Sequence, residues 1–304
     1  MPRANRHFIP GLIWHITHRC HKKEFLLKFR RDKLAWMYWA LQAKIRYGLV
    51  ILNFMITSNH IHLLGMAGRR EAKSVSVGTS VCAGMGEGRI AAAAAVGSTV
   101  RDNVGGAITR ANNSAIASPA GETAIARALQ LMQGRVAQEY NHRKGRHGAF
   151  WEDRYHATAI ETGAQFVRCL TYIDMNMVRA GVVAHPREWP YCGYGELFRT
   201  HDRPRGKLVD LVDTGALMTL VGARDIGELA AMRAKWIDQA LRKGRIEREA
   251  IWTESVAVGS PAFLQKIQAR LGLKLKASQF AVAETIDEMI VDHARGLHVR
   301  VNDR

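Results

Sequence analysis

The chain has 304 residues, 47% of them hydrophobic, which is enough for one large domain or two modest ones with a buried core. Lysine and arginine exceed aspartate and glutamate to give a formal net charge of +17, which favours a polyanionic partner, most simply nucleic acid. No apolar run reaches the length of about 18 residues that a membrane span needs, and no apolar signal core follows the basic N-terminus. The four cysteines are scattered without a C-x-x-C pair, so we expect a reduced, cytoplasmic protein without a disulfide framework or a cysteine zinc site.

The first part of the chain has the pattern of a β-α-β-β unit. Leu12 to Cys20 alternates apolar and polar residues as a strand does, and Asp32 to Tyr47 has the apolar spacing of an amphipathic helix that stops at Gly48. Two more strands are predicted, from Leu49 to Thr57 and from His60 to Gly65. This order predicts an α+β fold with a ferredoxin-like, RRM-like antiparallel sheet and helices on one face.

The third predicted strand opens with the motif N-H-I-H-L-L. Because strand residues i and i+2 share a face, His60 and His62 would present two imidazoles side by side while Ile61 faces the core. Imidazole is the commonest metal ligand, so the pair would form half of a metal site. An isolated H-x-H is a weak signal, and its value depends on a partner elsewhere in the chain. His15 and His18 of the first strand are predicted to be surface or sheet-face residues.

From residue 67 to residue 121 the composition changes to glycine, alanine and serine with almost no aromatic residues. Such a segment buries little area per residue and is longer than an ordinary connection, so we predict a flexible insertion. Regular patterns resume with a helix from Thr123, a strand from His156 to Glu161 and a helix from Ala164 to Arg179.

On the last of these helices, Tyr172 and Asn176 lie four residues apart, so their side chains meet on one face. A hydroxyl and an amide oxygen would then be offered together. Spacing alone leaves open the alternative that Tyr172 extends outward from the core and that Asn176 is an ordinary surface amide.

Residues 201–304 are predicted to form a small helical C-terminal region. Its expected helices run from Asp225 to Gly244, from Trp252 to Val258, from Ser260 to Gly272 and from Ser278 to His293. A compact basic helical unit of this kind fits an accessory DNA-binding module of helix-turn-helix type, and it fits a helical cap on the first domain equally well.

Five short motifs, separated along the chain, are informative when they are considered together. They are S-N-H-I-H-L-L at 58–64, G-A-F-W-E-D-R-Y at 148–155, Y-I-D-M-N-M-V-R-A-G at 172–181, W-P-Y at 189–191 and E-S-V-A-V-G-S-P-A-F at 254–263. In this order they resemble the HUH superfamily of single-tyrosine transposases, in the branch called REP-associated tyrosine transposases. Met177 stands where that family usually has proline, and the segment 67–121 has no counterpart that we recognise.

The resemblance implies a discontinuous catalytic HUH domain formed by residues 1–66 and 122–200. It implies that Tyr172 is the nucleophile and that His60, His62 and Asn176 hold a divalent metal, Mg²⁺ or Mn²⁺, with zinc also compatible with the ligand types. The implied reaction is nicking and rejoining of single-stranded hairpin or repeat DNA through a 5′-phosphotyrosine. No P-loop motif is present, which agrees with a transesterification that needs no ATP.

Basic residues near the predicted strand ends and after the first downstream helix are candidate contacts to DNA phosphates, although each one alone is more often just a solvated charge. Trp151 and Tyr155 could stack on unpaired bases, and a core position for Trp151 is the alternative. The expected DNA-binding residues are Arg19, Lys22, Lys23, Arg143, Lys144, Arg146, Trp151 and Arg154.

The expected partner is single-stranded or hairpin DNA, with no membrane and no small-molecule cofactor, for a monomer or a homodimer. Two other functions are compatible with the sequence. One is a rolling-circle-type HUH nickase, and the other is a domesticated, non-catalytic protein that binds structured nucleic acid.

Overall fold

The computed structural model describes residues 8–68, 122–198, 210–244, 247–271 and 280–282. Their strands form a six-stranded sheet in the order β2-β3-β1-β4-β5-β6. The strands are β1 (Ile13–Arg19), β2 (Leu49–Ile56), β3 (His60–Ala67), β4 (His156–Ile160), β5 (Ala257–Gly259) and β6 (Phe280–Val282). The first four pair antiparallel, and β5 and β6 extend the β4 edge in parallel. The predicted α+β class with an antiparallel, ferredoxin-like half is confirmed.

Helices cover both faces of the sheet, whereas the sequence predicted helices on one face only. They are α1 (Arg30–Tyr47), α2 (Glu122–Lys144), α3 (Ala164–Asp174), α4 (Asn176–Arg179), α5 (Gly193–Leu197), α6 (Thr214–Val221), α7 (Ile226–Arg242), α8 (Ile251–Glu254) and α9 (Pro261–Leu271). The first face packs on α1, α2 and α9, and its core includes Trp36, Leu129 and Ile61. The second face packs on α3, α6, α7 and α8, and its core includes Phe166 and Leu64.

Alternation along the strands explains the two cores. Ile61 and Leu63 of β3 belong to the first core, whereas Leu64 belongs to the second, as expected from a period of two residues. The buried first face is therefore apolar, and His60 and His62 fall on the second face.

Two predicted helices have different structures. The helix expected from Ala164 to Arg179 is interrupted at Met175, which separates α3 from α4. The helix expected from Trp252 to Val258 was wrong in its second half, because Ala257–Gly259 is strand β5. Val256 and Val258 are β-branched, and the open edge of β4 offers their segment a parallel partner, with Ala257 opposite Ala159.

The C-terminal region is continuous with the sheet, since it supplies β5 and β6 as well as α6 to α9. Of the predicted helix 278–293, residues 280–282 form β6, and the others lie outside the described residues. The predicted insertion also lies outside them from residue 69 onward. Within the described ranges, no helix combines the length and the apolar character that crossing a membrane would require.

A buried ion pair ties α3 to α7 beneath β2. The Arg233 guanidinium donates to Asp174 Oδ2 at 2.6 Å, and the Asn53 amide donates to the other carboxylate oxygen at 2.8 Å. Burial raises the pKa of Asp174, and the positive charge of Arg233 opposes that rise. The charged carboxylate therefore depends on its guanidinium partner.

We expect Arg233→Met to lower the free energy of unfolding by about 3–5 kcal/mol, because it leaves a buried carboxylate without its counter-charge. The double variant Arg233→Met with Asp174→Leu should recover most of that loss, since no unpaired charge then remains. Urea unfolding followed by circular dichroism measures both. Arg224→Met is the matched control, because Arg224 is largely exposed beside Glu228 and should change stability little. Equal losses in the single and double variants would contradict the expectation.

Candidate active site

A cleft of about 630 Å³ opens on the second face of the sheet. Its lining includes His60, His62, Tyr172 and Asn176, the four residues that the motifs singled out, together with Arg179. The histidines come from β3, the tyrosine from α3, and Asn176 and Arg179 from α4. The fold therefore gathers side chains that are more than a hundred residues apart in sequence.

Strand register explains how the sheet presents its part of the cleft. His62 lies opposite Thr17 of β1, and His60 lies opposite Arg19. Residues that are directly opposite in an antiparallel pair point to the same face. His60, His62, Thr17 and Arg19 thus form one polar strip, and all four line the cleft.

His60 presents a defined nitrogen to the cleft. Its Nδ1 lies 2.7 Å from Asn59 Oδ1 and 3.0 Å from the Thr57 hydroxyl, which itself donates to the His60 carbonyl. Both neighbours therefore act as acceptors toward Nδ1, which must carry the ring proton. The lone pair is left on Nε2. Burial, with help from Arg19 and Arg179, lowers the pKa of His60 to about 4, so the ring is neutral at neutral pH.

His62 is only 2% exposed, and its two ring nitrogens have different partners. Nδ1 lies 2.9 Å from His15 Nε2, and Nε2 lies 3.0 Å from the Asn176 amide nitrogen. Burial and the neighbouring His60 hold the pKa of His62 well below its usual value. A neutral His62 can thus offer the Nε2 lone pair to a donor or to a metal.

Tyr172 is 5% exposed, and its ring lies near the ring of His62 and the guanidinium group of Arg179. Its ring centroid is 6.1 Å from that of His62, and the Arg179 guanidinium carbon is 4.0 Å from the Tyr172 centroid. Arg179 also donates to the Tyr172 carbonyl at 2.8 Å, which fixes the guanidinium against this helix turn. Burial raises the pKa of Tyr172, while the charges of Arg179 and Arg248 act in the opposite direction.

Arg19 and Arg154, two of the expected DNA-binding residues, also line the cleft, as do Arg179 and Arg248. Glu152 and Asp153 also line the cleft, and Arg248 forms an ion pair with Glu254 at 2.8 Å. The four guanidinium groups still outnumber the two lining carboxylates, which suits the cleft to a phosphodiester. Lys22 and Lys23 follow β1 in a short 3-10 turn and are exposed.

The other expected basic residues lie outside the cleft lining. Arg143 forms an ion pair with Asp32, and Arg146 lies 3.5 Å from a Glu24 carboxylate oxygen. The Lys144 ammonium lies 5.8 Å from the centre of the Phe29 ring. Arg143 and Arg146 therefore have acidic partners within the protein.

The two expected stacking residues pack against other aromatic rings. Trp151 stacks on His18 at 4.3 Å between centroids and donates from Nε1 to the Gln133 carbonyl at 3.0 Å. Tyr155 stacks on Phe8 at 6.0 Å. The packing of Trp151 agrees with the core alternative, since one face of its ring is already covered.

Sequence reasoning missed His15 and the roles of Arg179 and Arg248. His15 is completely buried, and the prediction of a surface or sheet-face residue was correct only in its second alternative. The period of two in β1 contained the signal, because His15, Thr17 and Arg19 share a face whereas His18 points to the other. The contacts of Arg248 come from a segment more than 180 positions beyond β3 and leave no pattern in the sequence.

The chemistry of the side chains in the cleft is compatible with a divalent metal. Within the described part of the chain, no group of three or more histidine, cysteine, aspartate or glutamate side chains could hold a metal ion. The motif residues offer two Nε2 lone pairs and the Asn176 amide, and Glu152 and Asp153 also line the cleft. Rotating the side-chain amide of Asn176 by 180° would place its oxygen, in place of its nitrogen, beside His62, because the amide oxygen and the amide nitrogen occupy nearly the same space. Two imidazoles and one oxygen suit Mn²⁺ and, less well, Mg²⁺, which prefers oxygen ligands.

No protein-family model matches the chain, and no curated protein matches it in sequence. Among solved structures, a REP-associated tyrosine transposase bound to a REP hairpin is similar to this chain, with a TM-score of 0.39 and 14% sequence identity. The match covers 70% of this chain and 94% of that chain. At this TM-score we infer nothing about the site from the likeness.

We expect Arg179→Gln to raise the pKa of Tyr172, because the variant loses the positive charge that stabilises the phenolate. Spectrophotometric titration of tyrosinate measures the shift, with Tyr172→Phe identifying the contribution of this residue. Arg135→Gln is the matched control, since its guanidinium carbon lies 5.4 Å from the ring of Trp39, which has no titratable hydroxyl. An unchanged Tyr172 titration in Arg179→Gln would contradict this electrostatic role.

Proposed function

We propose that this protein is a metal-dependent DNA strand transferase of the single-tyrosine HUH type, which nicks and rejoins single-stranded hairpin or repeat DNA. The observation that supports it best is the meeting of two neutral imidazoles, a phenol and an amide in one arginine-lined cleft. The resemblance of the five sequence motifs to REP-associated tyrosine transposases supports the same class and suggests the hairpin substrate.

In this proposal Tyr172 supplies the nucleophile. Its phenolic oxygen attacks the phosphorus of a phosphodiester and forms a new P–O bond, while the bond to the 3′ oxygen breaks. The phenolic proton is lost to solvent or a bound base, and the departing 3′ oxygen takes up a proton. The phosphate remains attached to the 5′ side of the DNA as a phosphotyrosine. One phosphodiester replaces another, so the reverse attack by a 3′ hydroxyl rejoins a strand without ATP.

Arg179 has two tasks in the proposal. Its guanidinium carbon, 4.0 Å from the Tyr172 ring centroid, stabilises the phenolate that the attack requires. Since it lines the same cleft, it also stabilises the charge that develops on the phosphate oxygens. Arg19 and Arg154 bind the substrate phosphates and orient the strand.

His60, His62 and Asn176 would hold the divalent metal, which when bound acts as a Lewis acid on the phosphate. Neutral rings are ready to bind without releasing protons, because burial depresses the pKa of both histidines. Asn176 closes this set from α4, immediately after the helix interruption at Met175.

The covalent intermediate gives a direct test. A labelled single-stranded hairpin oligonucleotide is incubated with the protein and Mn²⁺ and separated on a denaturing gel. We expect a protein–DNA adduct that is absent in Tyr172→Phe, which lacks the attacking oxygen, and falls to background in His60→Ala. Tyr38→Phe, which alters an exposed tyrosine of α1, should keep the adduct. Binding of the hairpin without any adduct would contradict the enzyme and favour a non-catalytic nucleic-acid-binding protein.

A second test concerns the ligand role of Asn176. Asn176→Leu should weaken Mn²⁺ binding by about tenfold or more, because it removes the third ligand, whereas Asn176→Asp should keep or strengthen it through a charged oxygen. Titration calorimetry or the paramagnetic resonance of free Mn²⁺ measures the affinity. Equal affinity in Asn176→Leu and the unaltered protein would exclude Asn176 as a ligand.

A further inference from the structure

His15 occupies an unusual place beside the cleft. It is completely buried and lies on the second face of the sheet, opposite Leu64 of β3 and Thr158 of β4. Its ring lies edge to edge with the ring of His62 in nearly the same plane, with centroids 5.1 Å apart and planes 9° apart. It does not line the cleft, so it has no direct access to a substrate.

Both ring nitrogens of His15 are engaged, and the partners determine where the protons lie. Nδ1 lies 2.8 Å from the Trp252 carbonyl oxygen, which can only accept, so Nδ1 must carry the proton. The ring is completely buried, and neither of its hydrogen-bond partners, a carbonyl and another imidazole, carries the negative charge that an imidazolium would need, so the ring is neutral and Nε2 has a lone pair. The 2.9 Å contact between His15 Nε2 and His62 Nδ1 then requires that His62 donate.

We propose that His15 is a positioning residue that holds His62 in the tautomer with the proton on Nδ1 and the Nε2 lone pair toward the cleft. The sequence of contacts runs from the Trp252 carbonyl through the His15 ring to the His62 ring. Each of the two hydrogen bonds has one possible donor. While both rings are neutral, no other arrangement of protons satisfies the Trp252 carbonyl, His15 and His62 together. His62 is thereby prepared as a ligand before any metal arrives.

Metal-binding histidines commonly have their second nitrogen held by a carboxylate or a backbone carbonyl. His60 follows that pattern through the Asn59 amide oxygen, at 2.7 Å. His62 is 2% exposed, and His15 connects its Nδ1 to the Trp252 carbonyl. The extra imidazole adds no charge, which suits an interior where an unpaired carboxylate would be costly.

The same contacts give the C-terminal segment a task at the site. The Trp252 carbonyl belongs to α8, and Trp252 itself is completely buried. Thr158 and His156 of β4 hold the following Ser255 carbonyl at 2.7 and 2.9 Å. His15, His156 and Thr158 of the sheet thus anchor the segment 252–255. The same hydrogen bond from His15 to the Trp252 carbonyl fixes the orientation of the His15 ring. The C-terminal region consequently supports the catalytic domain directly.

The inference rests on the proposed function for its consequence, metal binding, but its structural content can be measured without metal. The nitrogen-15 chemical shifts of imidazoles distinguish protonated from unprotonated ring nitrogens. In the full-length protein without metal, we expect His62 to show a protonated Nδ1 and an unprotonated Nε2. A His62 protonated on Nε2 would overturn the proposal at once.

Two variants of His15 extend the test. His15→Phe removes the acceptor and should allow the other tautomer of His62, with a loss of Mn²⁺ affinity of about 10–100-fold. His15→Gln places an amide oxygen near the position of Nε2 and should restore most of the tautomer preference and of the affinity. If general damage to the fold causes the loss of Mn²⁺ affinity, His15→Phe and His15→Gln should lose it equally. Equal losses would therefore also overturn the proposal.

The matched control is His18→Phe, which replaces another buried histidine of β1. His18 also lines the cleft, but its ring stacks on Trp151 and its Nε2 contacts the Asp153 carbonyl, not His62. The variant should leave the His62 tautomer unchanged. If the unaltered protein binds no Mn²⁺, the proposed function fails, while the tautomer measurement still decides the role of His15. If it binds Mn²⁺ and His15→Phe binds it equally well, the role of His15 is wrong and the proposed function stands.

Discussion

The constraint on which the site depends is the period of two along β1 and β3. It separates the residues of each strand between an apolar first face and a second face on which His15, His60 and His62 lie together. A slip of one residue in the register would place the imidazoles in the apolar core and Ile61 in the cleft. The apolar packing beneath the sheet and the chemistry above it are therefore maintained by the same strand pairing.

Burial shapes the chemistry of this face as much as position does. It keeps the imidazoles neutral, since a charged ring loses hydration that the protein interior does not replace. It also disfavours the phenolate of Tyr172, and Arg179 counters that effect from 4.0 Å. In the proposed function, the neutral imidazoles are the metal ligands and Arg179 lies beside the nucleophile.

The buried polar groups of the second face are connected across the whole fold. His15, Thr158 and His156 fasten the C-terminal segment to the sheet, while Asp174 at the end of α3 is fastened to α7 by Arg233. Tyr172 and Asn176 flank this end of α3. The C-terminal helices accordingly belong to the structure that positions the cleft, whether or not they also bind DNA.

The order of strands and helices in the first half and the shared face of His60 and His62 followed from the sequence, because local periodicity determines them. The single helix that would pair Tyr172 with Asn176 did not, because it is interrupted at Met175 between them, and the two residues share only the lining of the cleft. The resemblance of the separated motifs to REP-associated tyrosine transposases pointed to His60, His62, Tyr172 and Asn176, which all line the cleft. Local pattern did not reveal strand β5, the buried His15, or Arg179 and Arg248 as neighbours of the phenol. Those features depend on which edges and faces meet when distant segments pack. Periodicity sets the side of a strand on which a residue lies, and only tertiary structure decides what stands opposite it.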